Sequence, residues 1–168
     1  MKVLFQSRAT LFSVPGGDTV QLQKTAEFLR RLGIAVDIST ELAPALQGYD
    51  LVHLFNLMRP QEVYLQARNA ANFGTPIALS TIYGLYTEYE RKARQGFAGF
   101  VSRNLSQWQV ERLKVIARAV ANKEIGKGSV LVAALGYRTL CSRVVGFTDV
   151  FLPNSLSEMH RVQSDFEM

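Results

Sequence analysis

Short apolar runs alternate with amphipathic helical stretches through the first half of this chain, and that alternation constrains its fold more than any other feature. Residues 2–7 form an apolar run with a polar end, followed by a loop, 8–18, that contains Pro15-Gly16-Gly17, which reads as strand then turn. Residues 19–32 then set Val20, Leu22, Ala26, Leu29 and Leu32 near a 3.6-residue period, and Gly33 stands where a helix closes. A second strand is expected at 34–38, a turn of helix at 42–46, a buried strand at 50–55, a helix at 60–73 with Pro60 in its first turn and Gly74 after its end, and a fourth strand at 75–80. Four such alternations predict an α/β fold: a mostly parallel sheet with helices on both faces, a Rossmann-like domain.

The rhythm breaks after Tyr83. Residues 86–103 and 105–123 are helical in tendency with no strand between them, and a further helix is expected after Gly128 through about Cys141. We therefore expect a basic helical insertion over 84–143 within one domain spanning 1–168. A last strand at 149–152 precedes Ser155-Leu-Ser-Glu158, the spacing of a capping box that opens a final helix. With 48% apolar and 20% charged residues the chain can bury a core, and its longest apolar stretch, 129–135, is far short of a membrane span. The single cysteine excludes an internal disulfide, and the first residues lack the run of a secretory signal, so a cytoplasmic place is expected.

The net charge of +5 is concentrated in one stretch. Between Glu88 and Arg138 ten basic side chains stand against four acidic ones, a local +6, while the other residues sum to −1. Within it Arg91, Lys92 and Arg94 precede Phe97 and Phe100, a mixture suited to an anionic membrane surface, with a solvated helical face as the plain alternative. Nucleic acid is disfavoured, because apolar residues dilute the charge and no reader motif is present. Trp108 on the next helix is expected to pack in the core.

The Gly16-Gly17 pair lies between the first strand and the first helix, where such folds bind ligands and where backbone N–H groups can approach a phosphate. The alternative is a simple turn with Asp18 capping the helix, and Asp18 would repel an anion unless its charge is turned aside. The pattern is neither a dinucleotide fingerprint nor a triphosphate loop. Strand ends supply further candidates for a ligand cleft: Ser7, Arg8, Asn56, Arg59, Ser80, Thr81, Tyr83, Asn154 and Ser155. These groups suit hydrogen bonding to sugar or phosphate better than acid–base work, since no paired carboxylates stand at the strand ends, and no catalytic residue is assigned. His53, inside an apolar run, is read as structural with a backbone partner, His160 as exposed, and Cys141 as an inert core thiol. No metal-ligand spacing and no Gly-x-Ser-x-Gly elbow occur.

Taken together, the segment from Gly16-Gly17-Asp18-Thr19 to Gly33-Ile-Ala-Val-Asp37, Tyr49-Asp-Leu-Val-His53, and Phe151-Leu-Pro-Asn-Ser155-Leu-Ser-Glu158 resemble the N-terminal half of family-4-type glycosyltransferases of the two-domain GT-B fold. The likeness covers most of the chain and is weakest over 83–143. It implies an acceptor-binding domain that works with a C-terminal domain binding the nucleotide-sugar donor, a partner this chain does not contain. It implies further that Gly16 and Gly17 approach the donor diphosphate, and that Tyr83 stands where relatives often carry a histidine that contacts the donor sugar. The activity implied is retaining and metal-independent, with no cofactor and the nucleotide sugar as substrate.

The expected function is therefore the acceptor half of a transferase that moves a sugar to a glycan or lipid-linked acceptor, peripheral on the inner face of the membrane and inactive without its donor half. Two alternatives stay open. One is a non-catalytic Rossmann-like module that binds a nucleotide or an anionic surface. The other is an interaction protein whose basic helices meet nucleic acid, with affinity that falls steeply with salt.

Overall fold

The computed structural model describes residues 1–84, 105–121 and 126–168. β1 (Lys2–Gln6) is buried from Val3 onward and lies at the centre of the sheet between β2 (Ala35–Ser39) and β3 (Leu51–Phe55). β4 (Ile77–Ser80) and the two-residue β5 (Val150–Phe151) complete the order β2-β1-β3-β4-β5. All five strands are parallel, so the expected mostly parallel sheet is wholly parallel. The chain leaves β1 toward one edge and resumes at β3 on the other side, which creates a switch point where the loops after β1 and β3 diverge.

α1 (Gly17–Arg31) begins two residues before the sequence reading placed it. Gly16 caps it, and the Thr19 hydroxyl accepts from the Gly16 N–H at 3.1 Å, a reciprocal link that fastens the first turn. Its far end closes at Gly33, whose φ of +81° favours a residue without a Cβ. Leu22 and Ala26 of α1 pack on Val3, Phe5, Val36 and Phe55. The other face of the sheet, with Leu4, Val52, Leu54, Ile77 and Leu79, receives α2 (Pro60–Phe73) and four later helices. Leu22, Leu54 and Leu79 are fully buried, each contributing about 2 kcal/mol of apolar transfer.

The expected turn of helix at 42–46 is absent; the segment between β2 and β3 is irregular. Pro44 removes a backbone donor there, and amide side chains hold the carbonyls instead. Gln6 Nε2 donates to Glu41 O at 3.0 Å, and Asn69 Nδ2 to Pro44 O at 3.0 Å. The fourfold alternation of strand and helix is thereby interrupted once.

Between β4 and β5 the described residues form α3 (Gln107–Ala121), α4 (Lys127–Leu135) and α5 (Tyr137–Phe147). The single helix expected after Gly128 is thus two, meeting at 109°. Gly136, at φ +91°, makes that corner, and the second helix runs past Cys141 to Phe147. α4 comes so close to α2 that a Cβ on Gly128 would lie 1.8 Å from the Gln61 carbonyl oxygen. Trp108 packs against Tyr137 and Phe166, as a core residue would. α6 (Leu156–Phe166) follows β5 and buries Val162 in the same cluster. The expected helix at 86–103, with Arg91, Lys92 and Arg94, lies outside the described residues. No single helix among the described residues is long and apolar enough to cross a membrane.

Candidate functional site

The loops that follow β1 and β3 meet at Asp18. Arg8, two residues after β1 and 5% exposed, donates from Nε to Asp18 Oδ2 at 2.7 Å and from Nη2 to Asp18 Oδ1 at 2.9 Å. Its remaining donors reach Thr10 O, Thr10 Oγ1 and Val14 O at 2.8–2.9 Å, so the guanidinium is spent on folding the loop over itself. Hydrogen bonding from Arg8 outweighs burial and holds the Asp18 carboxyl down at about 2. The charge that would repel an anion at the start of α1 is thereby turned onto Arg8. Among the described residues the N–H groups of Gly17 and Asp18 find no acceptor, and a Cβ on Gly17 would face open space.

Asn56, at the end of β3, takes the left-handed conformation with φ +76°, which asparagine tolerates better than most residues. It donates from Nδ2 to Asp18 Oδ2 at 3.3 Å and accepts from the Met58 N–H at 3.1 Å. Arg59 caps α2, half-buried, and its guanidinium makes no hydrogen bond or ion pair among the described residues. Burial pulls its pKa down, Arg118 and Arg8 add to that, and Glu62 offsets part.

The β4 end is organised by a residue that the strand-end argument did not select. Glu158, in the first turn of α6, accepts from the Thr81 hydroxyl, from the Tyr83 N–H at 2.9 Å and from the Asn154 N–H at 3.2 Å. Ser155 caps α6 by accepting the Glu158 N–H at 3.2 Å, the half of the capping box that the sequence predicts; the Glu158 carboxylate instead reaches Asn154 and β4. The Tyr83 hydroxyl donates to Asp165 Oδ2 at 2.7 Å, and burial raises its pKa. Asn154 Oδ1 accepts from Gln21 Nε2 at 2.8 Å, which bridges the β5 end to α1.

Ser80 turns into the sheet interior. Its hydroxyl pairs with His53 Nε2 at 2.9 Å, so the partner of His53 is a side chain rather than the expected backbone group. Burial holds the His53 pKa down at about 4. Cys141 is fully buried with its thiol pKa raised by burial, as an inert core thiol requires.

Three hollows share walls over the carboxyl ends of the strands. The first, about 720 Å³, is lined by Asn56, Ile82, Tyr83, Asn154 and Glu158 on one side and by Glu111, Lys114 and Arg118 of α3 on the other. The second, about 620 Å³, holds Gly16, Gly17, Arg8, Asn56 and Arg59. The third, about 350 Å³, lies between Arg59, Arg118 and the start of α4. Of the strand-end candidates, Arg8, Asn56, Arg59, Tyr83 and Asn154 line this groove, whereas Ser80, Thr81 and Ser155 hold the frame behind it. Glu111, Lys114 and Arg118 enter only because α3 folds back over the strand ends; their one sequence signal was membership of the basic stretch. Among the described residues no three His, Cys, Asp or Glu side chains converge as a metal site. No protein-family model matches the chain, and neither does a curated protein or a solved structure.

Proposed function

We propose that this chain is the acceptor-binding half of a metal-independent, retaining glycosyltransferase of the two-domain kind, moving a sugar from a nucleotide-sugar donor to a glycan or lipid-linked acceptor. The observation that carries the reading is the Arg8–Asp18 pair beside Gly16 and Gly17. It removes the local negative charge at a helix start that opens onto the groove, and a donor diphosphate is the group whose charge such a start favours. On this reading a second domain brings the donor across the groove and closes over it. The backbone N–H groups of Gly17 and Asp18 then stabilise charge developing on the leaving diphosphate, while α3 and Asn154 bound the acceptor side. The basic stretch with Arg91, Lys92 and Arg94 would keep the protein against the inner face of the membrane.

A second reading, a non-catalytic module binding a nucleotide or an anionic surface, draws on the same groove and predicts binding without turnover. The experiment is transfer from radiolabelled nucleotide sugars to membrane and polysaccharide extracts, assayed with the 168-residue chain and with the complete gene product. The proposal expects transfer only from a product that carries a donor domain. Turnover by the 168 residues alone would refute the division of labour, and binding without turnover by the complete product would select the module.

A further inference from the structure

Arg59 and Arg118 are the common walls of the groove. Arg118 separates the first hollow from the third, and Arg59 separates the second from the third. Neither guanidinium has a hydrogen bond or ion pair among the described residues. Lys127 also lines the third hollow, and Glu62 is the one acid there, with its carboxylate taken up by the Ala9 N–H at 3.4 Å and by Gln61 Nε2 at 3.5 Å. Three cations against one anion leave the lining at a formal +2. A half-buried arginine without an acceptor is costly unless an anion joins it, because its five donors lose water and gain nothing.

We infer that the third hollow is a binding site for a phosphate group, held by Arg59 and Arg118 with Lys127 at the rim, and separate from the helix start at Gly16–Gly17. Guanidinium forks match phosphate oxygens two at a time, and a phosphomonoester offers the two arginines three terminal oxygens and a higher charge than a carboxylate does. About 350 Å³ admits the phosphate together with a small organic group, which makes the ligand class a phosphomonoester of sugar or headgroup size. Such a site goes beyond the transferase reading and does not depend on it, since phosphate can be titrated with no nucleotide sugar present.

The test is titration of the isotope-labelled chain with inorganic phosphate, followed by amide NMR shifts, for the parent and for Arg59→Gln, Arg118→Gln and Arg31→Gln. Binding is expected to move the amides of Gln61 and Gly126 to Ser129, and to weaken about tenfold in each arginine variant. Arg31→Gln, which removes one exposed positive charge from the last turn of α1 away from the three hollows, is expected to leave the affinity unchanged. Arg118 is exposed on α3, so its variant keeps the question open to refutation even if Arg59→Gln unfolds. Absence of binding, binding that survives Arg118→Gln, or binding weakened equally in Arg31→Gln would each overturn the inference. A parallel arm uses phosphatidylcholine vesicles with and without phosphatidic acid. Phosphatidate-dependent binding that is lost in the arginine variants assigns the site to a lipid phosphate, and phosphate binding without it assigns the site to a soluble ester.

Discussion

Asn56 donates to the Asp18 oxygen that Arg8 already holds, so the end of β3 and the start of α1 are joined through one neutralised carboxylate. The three residues come from three separate segments of the chain and meet at that carboxylate. Asp18 also accepts the Thr19 N–H at 2.9 Å, which ties the arrangement to the first turn of the helix. The mouth of the groove therefore rests on a buried ion pair.

Removing one charge from that pair is expected to be severe. Asp18→Asn leaves Arg8 buried and uncompensated, and about 3 kcal/mol should be lost in urea unfolding at pH 7. Acid should act on the same bond in the parent. The Asp18 pKa falls from 3.8 to about 2 on folding, so the unfolded chain binds the proton first. The contribution, about 2 kcal/mol, is present above pH 5 and disappears as the pH falls toward 2. That acid slope should be missing in Asp18→Asn.

His53 should produce a second and distinct pH dependence. Its pKa drops from 6.5 to about 4 because burial between Phe5 and Phe55 disfavours the imidazolium. The unfolded chain again takes the proton first, so stability is full above about pH 7 and declines by about 3 kcal/mol between pH 6.5 and 4. His53→Gln is expected to be less stable at pH 7, through lost ring packing, and to show a flatter profile across that window. Denaturation midpoints measured from pH 4 to 8 separate the two effects.

The parts of this fold that were legible in the sequence are those set by neighbours along the chain. Gly16, Thr19 and Gly33 bound α1 through contacts three to five residues apart, and Ser155 caps α6 the same way. The segment at 42–46 misled because its apolar spacing resembles a helical turn, while the Pro44 carbonyl and that of Glu41 just before the segment answer to Asn69, Gln6 and Gln66 far along the chain. Gly136 interrupts an apolar stretch that could continue as helix, and only its left-handed backbone turns the chain through a corner. The groove was half legible. Strand ends could be listed, but which of them face a ligand depends on Glu158 and Thr81, 77 residues apart, and on α3 crossing above them.

Gly128 gives a sharp steric test of how α4 is seated. A methyl group there would meet the Gln61 backbone oxygen at 1.8 Å, and backbone cannot yield as a flexible side chain can. Gly128→Ala is expected to cost about 3 kcal/mol and to pry α4 from α2. Gly146, exposed near the end of α5 with open space around its Cβ position, is the control. Gly146→Ala should be neutral to stabilising by about 0.5 kcal/mol, because alanine favours the helix. Equal melting temperatures for the two variants would contradict this packing.

Glu158 should matter more than its half-exposed position on α6 suggests. Its carboxylate accepts the Thr81 hydroxyl and the backbone N–H groups of Tyr83 and Asn154, so one side chain closes the ends of β4 and β5 onto α6. Truncation by Glu158→Ala leaves two backbone donors without their acceptor and is expected to cost about 2 kcal/mol. Glu158→Gln should cost less, since the amide oxygen still accepts while its NH2 group faces a donor. Tyr83→Phe removes only the bond to Asp165 and keeps the ring packed on Phe166, so its loss should be about 1 kcal/mol. The order Ala, then Gln, then the tyrosine variant, read from urea midpoints, follows from the number of hydrogen bonds each change weakens or removes. Because Glu158 also lines the first hollow, faster amide exchange at Tyr83 in Glu158→Ala would report that the groove wall itself has loosened.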